Sequence, residues 1–316
     1  MQLVRSNSPR GRRGVLTRLA VGCFTATLLL WAAAATVSAA TLDRIRETGV
    51  VKLGYLTAAR PFSYRDESGM PAGYAVALCA RIVTELKQTL AMPNLRSEFL
   101  AVEAETRFDA VRDGHVDLLC GGGTPTLKLR AKVSFSIPIF PGGVGALVRK
   151  DAPARLRTLL AGDPQPFEPR WRASLGQVMQ KRTFAVVPKS PAAIWLEHAL
   201  DDFDLSATID PIDTFDVGVD RVAARRADVM FADREILLDA VRRSPSAKDL
   251  MVIERKFTFE PIAFALERSD EDFRLFVDTA LSRLYRTTWL SEVYAPVFGK
   301  PDDDTLNYFL NTAIAE

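Results

Sequence analysis

The chain is predicted to be an α/β protein of two lobes joined by a two-strand hinge. Three observations predict this class. Strand and helix signals alternate along the chain, as an α/β sheet requires. Two interruptions, at Pro138–Gly145 and near Phe259–Pro261, read as crossings from one lobe to the other and back. The 276 residues that follow the first forty suit two lobes. The expected division is 1–40 export signal, 41–143 first lobe, 144–259 second lobe, 260–299 return to the first lobe and 300–316 C-terminal tail.

The first forty residues stand apart. Arg5, Arg10, Arg12, Arg13 and Arg18 come without any acid, and Leu19–Ala40 carries no charge. The run ends in Val37-Ser-Ala39-Ala40, the small-residue pattern of a signal cut near Ala39 or Ala40. The run is also long enough for an uncleaved anchor, although the small residues at its end favour processing. Arg12-Arg13 fits a twin-arginine signal loosely. Cys23 has the setting of a lipoprotein site, but its apolar run is short and broken by Arg18. The whole sequence has a net charge of +2; without the signal it holds 36 basic and 39 acidic residues, a net −3. The basic excess belongs to the signal, so no nucleic-acid surface is implied.

After a helix near Leu42–Glu47, Val50–Leu56 reads as a short apolar strand. Ala75–Leu90 places Val76, Leu78, Cys79, Ile82, Val83, Leu86 and Leu90 on one face, the spacing of an amphipathic helix. Ser97–Val102 is the next strand and Glu105–Arg112 a helix ended by Gly114. Val116–Cys120 is a buried strand. In the second lobe the strands are Gly145–Arg149, Phe184–Val187, Asp228–Phe231 and Leu250–Ile253. Ser190-Pro191 opens a helix, with Ser as N-cap and Pro in the first turn, and Arg234–Val241 forms another. Gly162–Pro169 is a proline-rich surface loop, and residues 162–180 look like an insertion. Ile262–Leu266 rejoins the first lobe, with Asp272–Tyr285 as its late helix.

The most informative segment runs from Arg107 to Ser136. A strand passing through Gly121, Gly122 and Gly123 towards a helix start near Leu127 gathers backbone N–H groups around one point, which suits an anion. No GxGxxG or GxxxxGK[ST] string stands here, so the usual phosphate readings fail and a carboxylate is the expected anion.

Arg107, Val111, Gly114, Asp117, Thr124, Thr126, Phe135, Ser136 and Pro138 together resemble the signature of the extracellular solute-binding proteins of ABC importers that take up polar amino acids. The likeness continues in Val50–Leu78, Ala227–Leu237 and Glu260–Tyr285, in the family's order, and so covers nearly all of the mature chain. The resemblance implies the type II periplasmic binding protein fold, a small solute held between the lobes, and delivery to an ABC permease in the inner membrane. It implies a periplasmic monomer with no cofactor and no metal.

The resemblance also implies site residues. Gly122, Gly123 and Thr124 would meet the ligand carboxylate, although the glycines equally permit a tight turn. The family's carboxylate-gripping arginine falls on Leu129 here. Arg130 stands one residue later, a turn of about 100° away on a helix, and reads equally well as a solvated helix residue. Arg60 is a second candidate cation at the mouth of the cleft. Aromatic cover would come from Tyr55, Phe62 and Tyr74. Asp233 matches the family's acid for an α-ammonium group, with helix N-capping as the alternative. Ser190 would add helix N–H donors from the second lobe. Cys79 and Cys120 lie on a helix and a core strand that pack together in this fold. In an exported chain such a pair readily forms a disulfide, worth about 3–4 kcal/mol in the chain-entropy account. The alternative is two buried free thiols.

No catalytic set stands out. His115 and His198 read as surface residues, and no Ser or Cys has a positioned base. The rival reading is a periplasmic dehydratase of the cyclohexadienyl dehydratase type, which shares this fold and needs a cleft acid such as Glu67, Glu103 or Glu260. A binder of a carboxylate that is not an amino acid is a further alternative, as is a ligand-binding domain for signalling.

Overall fold

A computed structural model describes residues 41–162 and 178–315. The export signal and most of the expected 162–180 insertion lie outside the described residues. From Thr41 onward the chain forms one compact unit, built on two five-stranded sheets and one small three-stranded sheet.

The first lobe begins with α1 (Thr41–Thr48) and β1 (Val50–Tyr55), then the small sheet β2 (Ala58–Ala59), β3 (Ser63–Arg65) and β4 (Pro71–Ala72). It continues with α2 (Tyr74–Thr89), β5 (Arg96–Ala101), α3 (Arg107–Arg112), β6 (Leu118–Gly123), α4 (Leu127–Arg130) and β7 (Ser134–Phe140). The second lobe holds β8 (Val144–Arg149), α5 (Ala154–Ala161), β9 (Thr183–Val186), α6 (Pro191–Asp202), β10 (Thr208–Pro211), α7 (Phe215–Ala223), β11 (Val229–Asp233), α8 (Arg234–Arg243) and β12 (Leu250–Val252). The return adds β13 (Ile262–Leu266), α9 (Glu271–Tyr285), α10 (Trp289–Phe298) and α11 (Asp303–Thr312).

The two large sheets share one plan. The first runs β5-β1-β6-β13-β7 and the second β10-β9-β11-β8-β12. In each, the first three strands are parallel and the fourth, antiparallel to its neighbours, is the strand that has just crossed from the other lobe. Helices cover both faces of each sheet. Leu53, Leu118, Cys120 and Phe264 pack with α2 and α9, while Leu119, Ala263 and Ala265 pack with α3. In the second lobe Val144, Ala146 and Val148 face α5 and α6, and Leu147 faces α7 and α8, the period of two that a pleated strand imposes.

The crossings run side by side. Phe257 and Glu260 donate backbone hydrogen bonds to Val144 and Gly142 at 2.7 and 2.9 Å, and Val144 N donates to Thr258 Oγ1 at 3.0 Å. The first crossing is shorter than expected, because Ser134–Phe140 is a strand despite Pro138. That strand lies at the sheet edge, and its pairing with β13 shifts register around Ala263, opposite Pro138. An edge strand with an irregular ladder tolerates the missing donor. The buried strand expected over Val116–Cys120 runs from Leu118 through the glycines to Gly123. The C-terminal segment carries α11, whose Phe309 is buried beside Tyr285, with ring centroids 5.0 Å apart.

Cys79 of α2 and Cys120 of β6 are joined by a disulfide, with Cα atoms 6.0 Å apart and both residues fully buried. It ties the first long helix to the middle of the sheet.

Candidate functional site

A cleft of about 200 Å³ opens between the two large sheets, where the strand ends of both lobes and the hinge meet. In an open α/β sheet this is where ligands bind, beyond the carboxyl ends of parallel strands. The first lobe contributes Leu56, the Gly121–Thr124 run and Arg107. The hinge contributes Gly143 and Glu260, and the second lobe Ser190, Phe215 and Asp233.

Gly122, Gly123 and Thr124 therefore line the cleft as expected. Gly122 also has a structural need: its φ is +65°, and a Cβ there would lie 2.6 Å from Ile262 Cγ2. The helix expected to start here is only the four residues of α4, and Thr126 caps it by accepting from Leu129 N at 3.2 Å. That helix start is too short and too well satisfied to act as an anion site.

Asp233 does two things at once. It is the N-cap of α8, with Oδ1 accepting from Glu235 N at 3.0 Å, and its Oδ2 accepts from Gly143 N at 3.3 Å at the cleft wall. Removal from water raises its pKa from 3.8 to about 6, and the charge of Glu235 adds to the rise, while its backbone hydrogen bonds and Lys256 oppose it. Lys256 donates to the Pro141 carbonyl at the hinge, and burial pushes its own pKa down. Ser190 caps α6 by accepting from Ala193 N at 3.2 Å and also lines the cleft.

Four expected residues, Tyr55, Tyr74, Arg130 and Arg60, lie outside the cleft. Tyr55 is buried, and its hydroxyl accepts from Arg65 Nε and Nη2 at 3.3 and 3.2 Å. Side chains alternate along a strand, so Leu56 faces the cleft and Tyr55 does not. Tyr74 is fully buried, and its hydroxyl donates to the Ile139 carbonyl at 2.9 Å. The first N–H groups of α2 bond to the Pro61 and Phe62 carbonyls, which draws Tyr74 inward among Phe62, Phe140, Tyr294 and Phe298. Arg130 is exposed and does not reach the cleft, while Leu129 packs on the core beneath α3. Phe62 touches the cleft but is only 4% exposed, so most of its ring belongs to the aromatic core. Arg60 lines an adjoining hollow.

The residue missed from sequence is Arg107. It opens α3, lines the cleft and lies over the Phe108 ring at 4.5 Å. Its Nη1 donates to the Ala104 carbonyl, but its Nε is buried without a hydrogen-bond partner. Burial lowers its pKa, with Glu105 opposing. An unsatisfied buried N–H costs about 1–3 kcal/mol, which a bound acceptor would recover. The available signal was position: a basic residue at a helix start just beyond a parallel strand points to the ligand edge of the sheet. Of the three acids named for a dehydratase, Glu67 and Glu103 are exposed, and only Glu260 lines the cleft.

Two matching α/β lobes around a charged inter-lobe cleft define a two-lobed binding protein of the type II periplasmic class. The family profile described as bacterial extracellular solute-binding proteins, family 3, matches residues 51–300. The chain belongs to that family. It is 25% identical over 262 residues to an L-glutamate/L-aspartate-binding protein of Pseudomonas aeruginosa, covering 83% of this chain and 80% of that one. It is 27% identical over 274 residues to a cyclohexadienyl dehydratase of the same organism, covering 82% and 89%. Among solved structures it is similar to an ancestral amino acid-binding protein described as a precursor of cyclohexadienyl dehydratase. That match has a TM-score of 0.63 and 23% identity, covering 82% of this chain and all of the other.

Proposed function

We propose that this protein is the periplasmic solute-binding component of an ABC importer, that its solute is a small polar amino acid, and that it passes the solute to an inner-membrane permease. The observation that carries the reading is the pairing of opposite charges across one cleft. Arg107 with its unspent Nε stands on the first lobe, and Asp233 stands on the second. An α-carboxylate would lie against Arg107 and the Gly122–Thr124 backbone, and an α-ammonium against Asp233, the simplest use of two charges set apart by a cleft of amino-acid size. Arg107 thus takes over the role of the family arginine that Leu129 leaves vacant. A solute touching both lobes favours the closed state by its extra contacts there. In this reading residues 1–40 are removed near Ala39 or Ala40 on export, residues 41–143 and 260–299 form one lobe, and 144–259 the other. The protein works as a monomeric binder and not as an enzyme.

A dehydratase is the second reading, favoured by Glu260 in the cleft and by the dehydratase relative. One experiment separates the two. Residues 41–316 are screened by thermal shift against amino acids, dicarboxylates, amines and prephenate, since a ligand of the native state raises the melting temperature. Hits are then titrated calorimetrically into wild type, Arg107→Ala and Asp233→Ala. The expected result is binding of an amino acid without turnover, weakened at least tenfold in each variant. Binding that survives both substitutions overturns the charge assignment, and consumption of prephenate overturns the transport reading.

A further inference from the structure

A second hollow adjoins the cleft. It encloses about 270 Å³ and shares Phe215 and Ile236 with the cleft wall, so the two spaces are neighbours across those side chains. Arg60 and Tyr64, in the segment after β1, form one side. The start of α7, with Asp216, and Arg243 of α8 form the other. Both lobes therefore build it, as they build the cleft.

Its charges are unevenly spent. Arg243 meets both oxygens of Asp216, at 2.9 and 2.8 Å, and also reaches Asp239 at 3.0 Å. Asp216 is the one acid lining the hollow, and this fork occupies it. Arg60 is placed differently. Its guanidinium carbon lies 3.6 Å from the Tyr64 ring centroid, and no carboxylate pairs with it among the described residues. Stacking holds the guanidinium plane while leaving the N–H groups at its edge available to an acceptor in the plane. A half-buried, pre-oriented cation facing a half-open hollow is suited to bidentate recognition of a carboxylate or phosphate.

We infer that this hollow is a second anion subsite, and that the solute carries a second anionic group, beyond its amino-acid head, that extends past Phe215 and Ile236 to Arg60. The inference rests on the amino-acid reading given above and specifies the class of solute as an elongated acidic amino acid. Arg107 and Asp233 hold the head. Arg60 reads the far end and discriminates by length.

The test is a length series of α-amino dicarboxylic acids: L-aspartate, L-glutamate, L-2-aminoadipate, L-2-aminopimelate and L-2-aminosuberate. Each is titrated calorimetrically into wild type, Arg60→Gln, Arg60→Lys and Arg107→Ala of residues 41–316, with thermal melts of the free proteins to verify folding. Affinity is expected to rise along the series to the member that reaches Arg60. Arg60→Gln should weaken that member about tenfold or more, leave L-aspartate unchanged and so flatten the series. Arg60→Lys should restore part of the loss, and Arg107→Ala should abolish binding of every member. A loss in Arg60→Gln that is equal for all members marks a contact that only closes the lobes, and overturns the subsite. An unchanged profile overturns it too, while binding that still depends on Arg107 leaves the amino-acid reading standing. If no member binds wild type while the thermal-shift screen finds another amino acid, the inference falls and the amino-acid reading stands; if that screen finds no amino acid either, both fall.

Discussion

At the scale of single residues, Asp233 shows how one carboxylate holds the fold and still lines the cleft. Its two oxygens are divided between the start of α8 and the hinge amide of Gly143. Desolvation raises its pKa to about 6, above that of the unfolded chain, so the free protein gains stability from this group at low pH and loses it as pH rises through about 6. Binding has the opposite sign, because an ammonium group needs the ionised carboxylate. Amino-acid affinity should therefore be level above pH 6 and fall up to tenfold per pH unit below it, until the carboxylate of the bound form also titrates. Titration calorimetry between pH 5 and 8 checks this, and Asp233→Asn should lose both the affinity and its slope with pH. Arg107 is the complementary case: a half-buried cation whose buried Nε has no partner gains most from an anion where water is scarce.

At the scale of elements, the tie between α2 and β6 supports the floor of the cleft. Cys120 lies just before the glycine run of β6, and its partner Cys79 lies on the helix that covers the same sheet. Closing a loop of this length restricts the unfolded chain and is worth about 3–4 kcal/mol. The Cys79→Ala/Cys120→Ala double variant should lose about that much stability in urea denaturation, with a larger m-value because its unfolded chain is no longer cross-linked. Because both sulfurs are buried, reductant should lower the wild-type midpoint only when present during unfolding. A variant as stable as wild type would show that native packing of α2, and not the covalent tie, sets the stability of this lobe.

At the scale of the whole molecule, two sheets are joined by a pair of crossings that run side by side. The crossings approach closely at Gly143, where a Cβ would lie 2.2 Å from the Thr258 carbonyl oxygen. Backbone cannot yield there as a side-chain tip would, so Gly143→Ala should force the two crossings apart. A cost of about 1–3 kcal/mol is expected by comparison with overpacked cores, read as a lower melting temperature. Small-angle scattering should also register less contraction of this variant than of wild type on adding the solute identified by thermal shift. Contraction equal to that of wild type would place the pivot elsewhere in the hinge.

The amino-acid sequence determined the class of this protein. Alternating strand and helix patterns, the glycine run before Thr124 and the family signature around it were local features. Local features survive in sequence because burial on a strand or helix repeats with a fixed period. The same logic placed Gly122, Gly123, Thr124, Ser190 and Asp233, each at the end of a strand or the start of a helix. Only the tertiary structure decided which side chains face the cleft. Tyr74 looked like aromatic cover because it opens a helix near the site, yet the rings of α10, more than two hundred residues later, enclose it. Arg107 looked like part of a signature and became the cation of the cleft, and Arg60 moved to the hollow beside it. The physical reason is that propensity acts along the chain, whereas exposure and charge pairing depend on what distant segments bring to the same place.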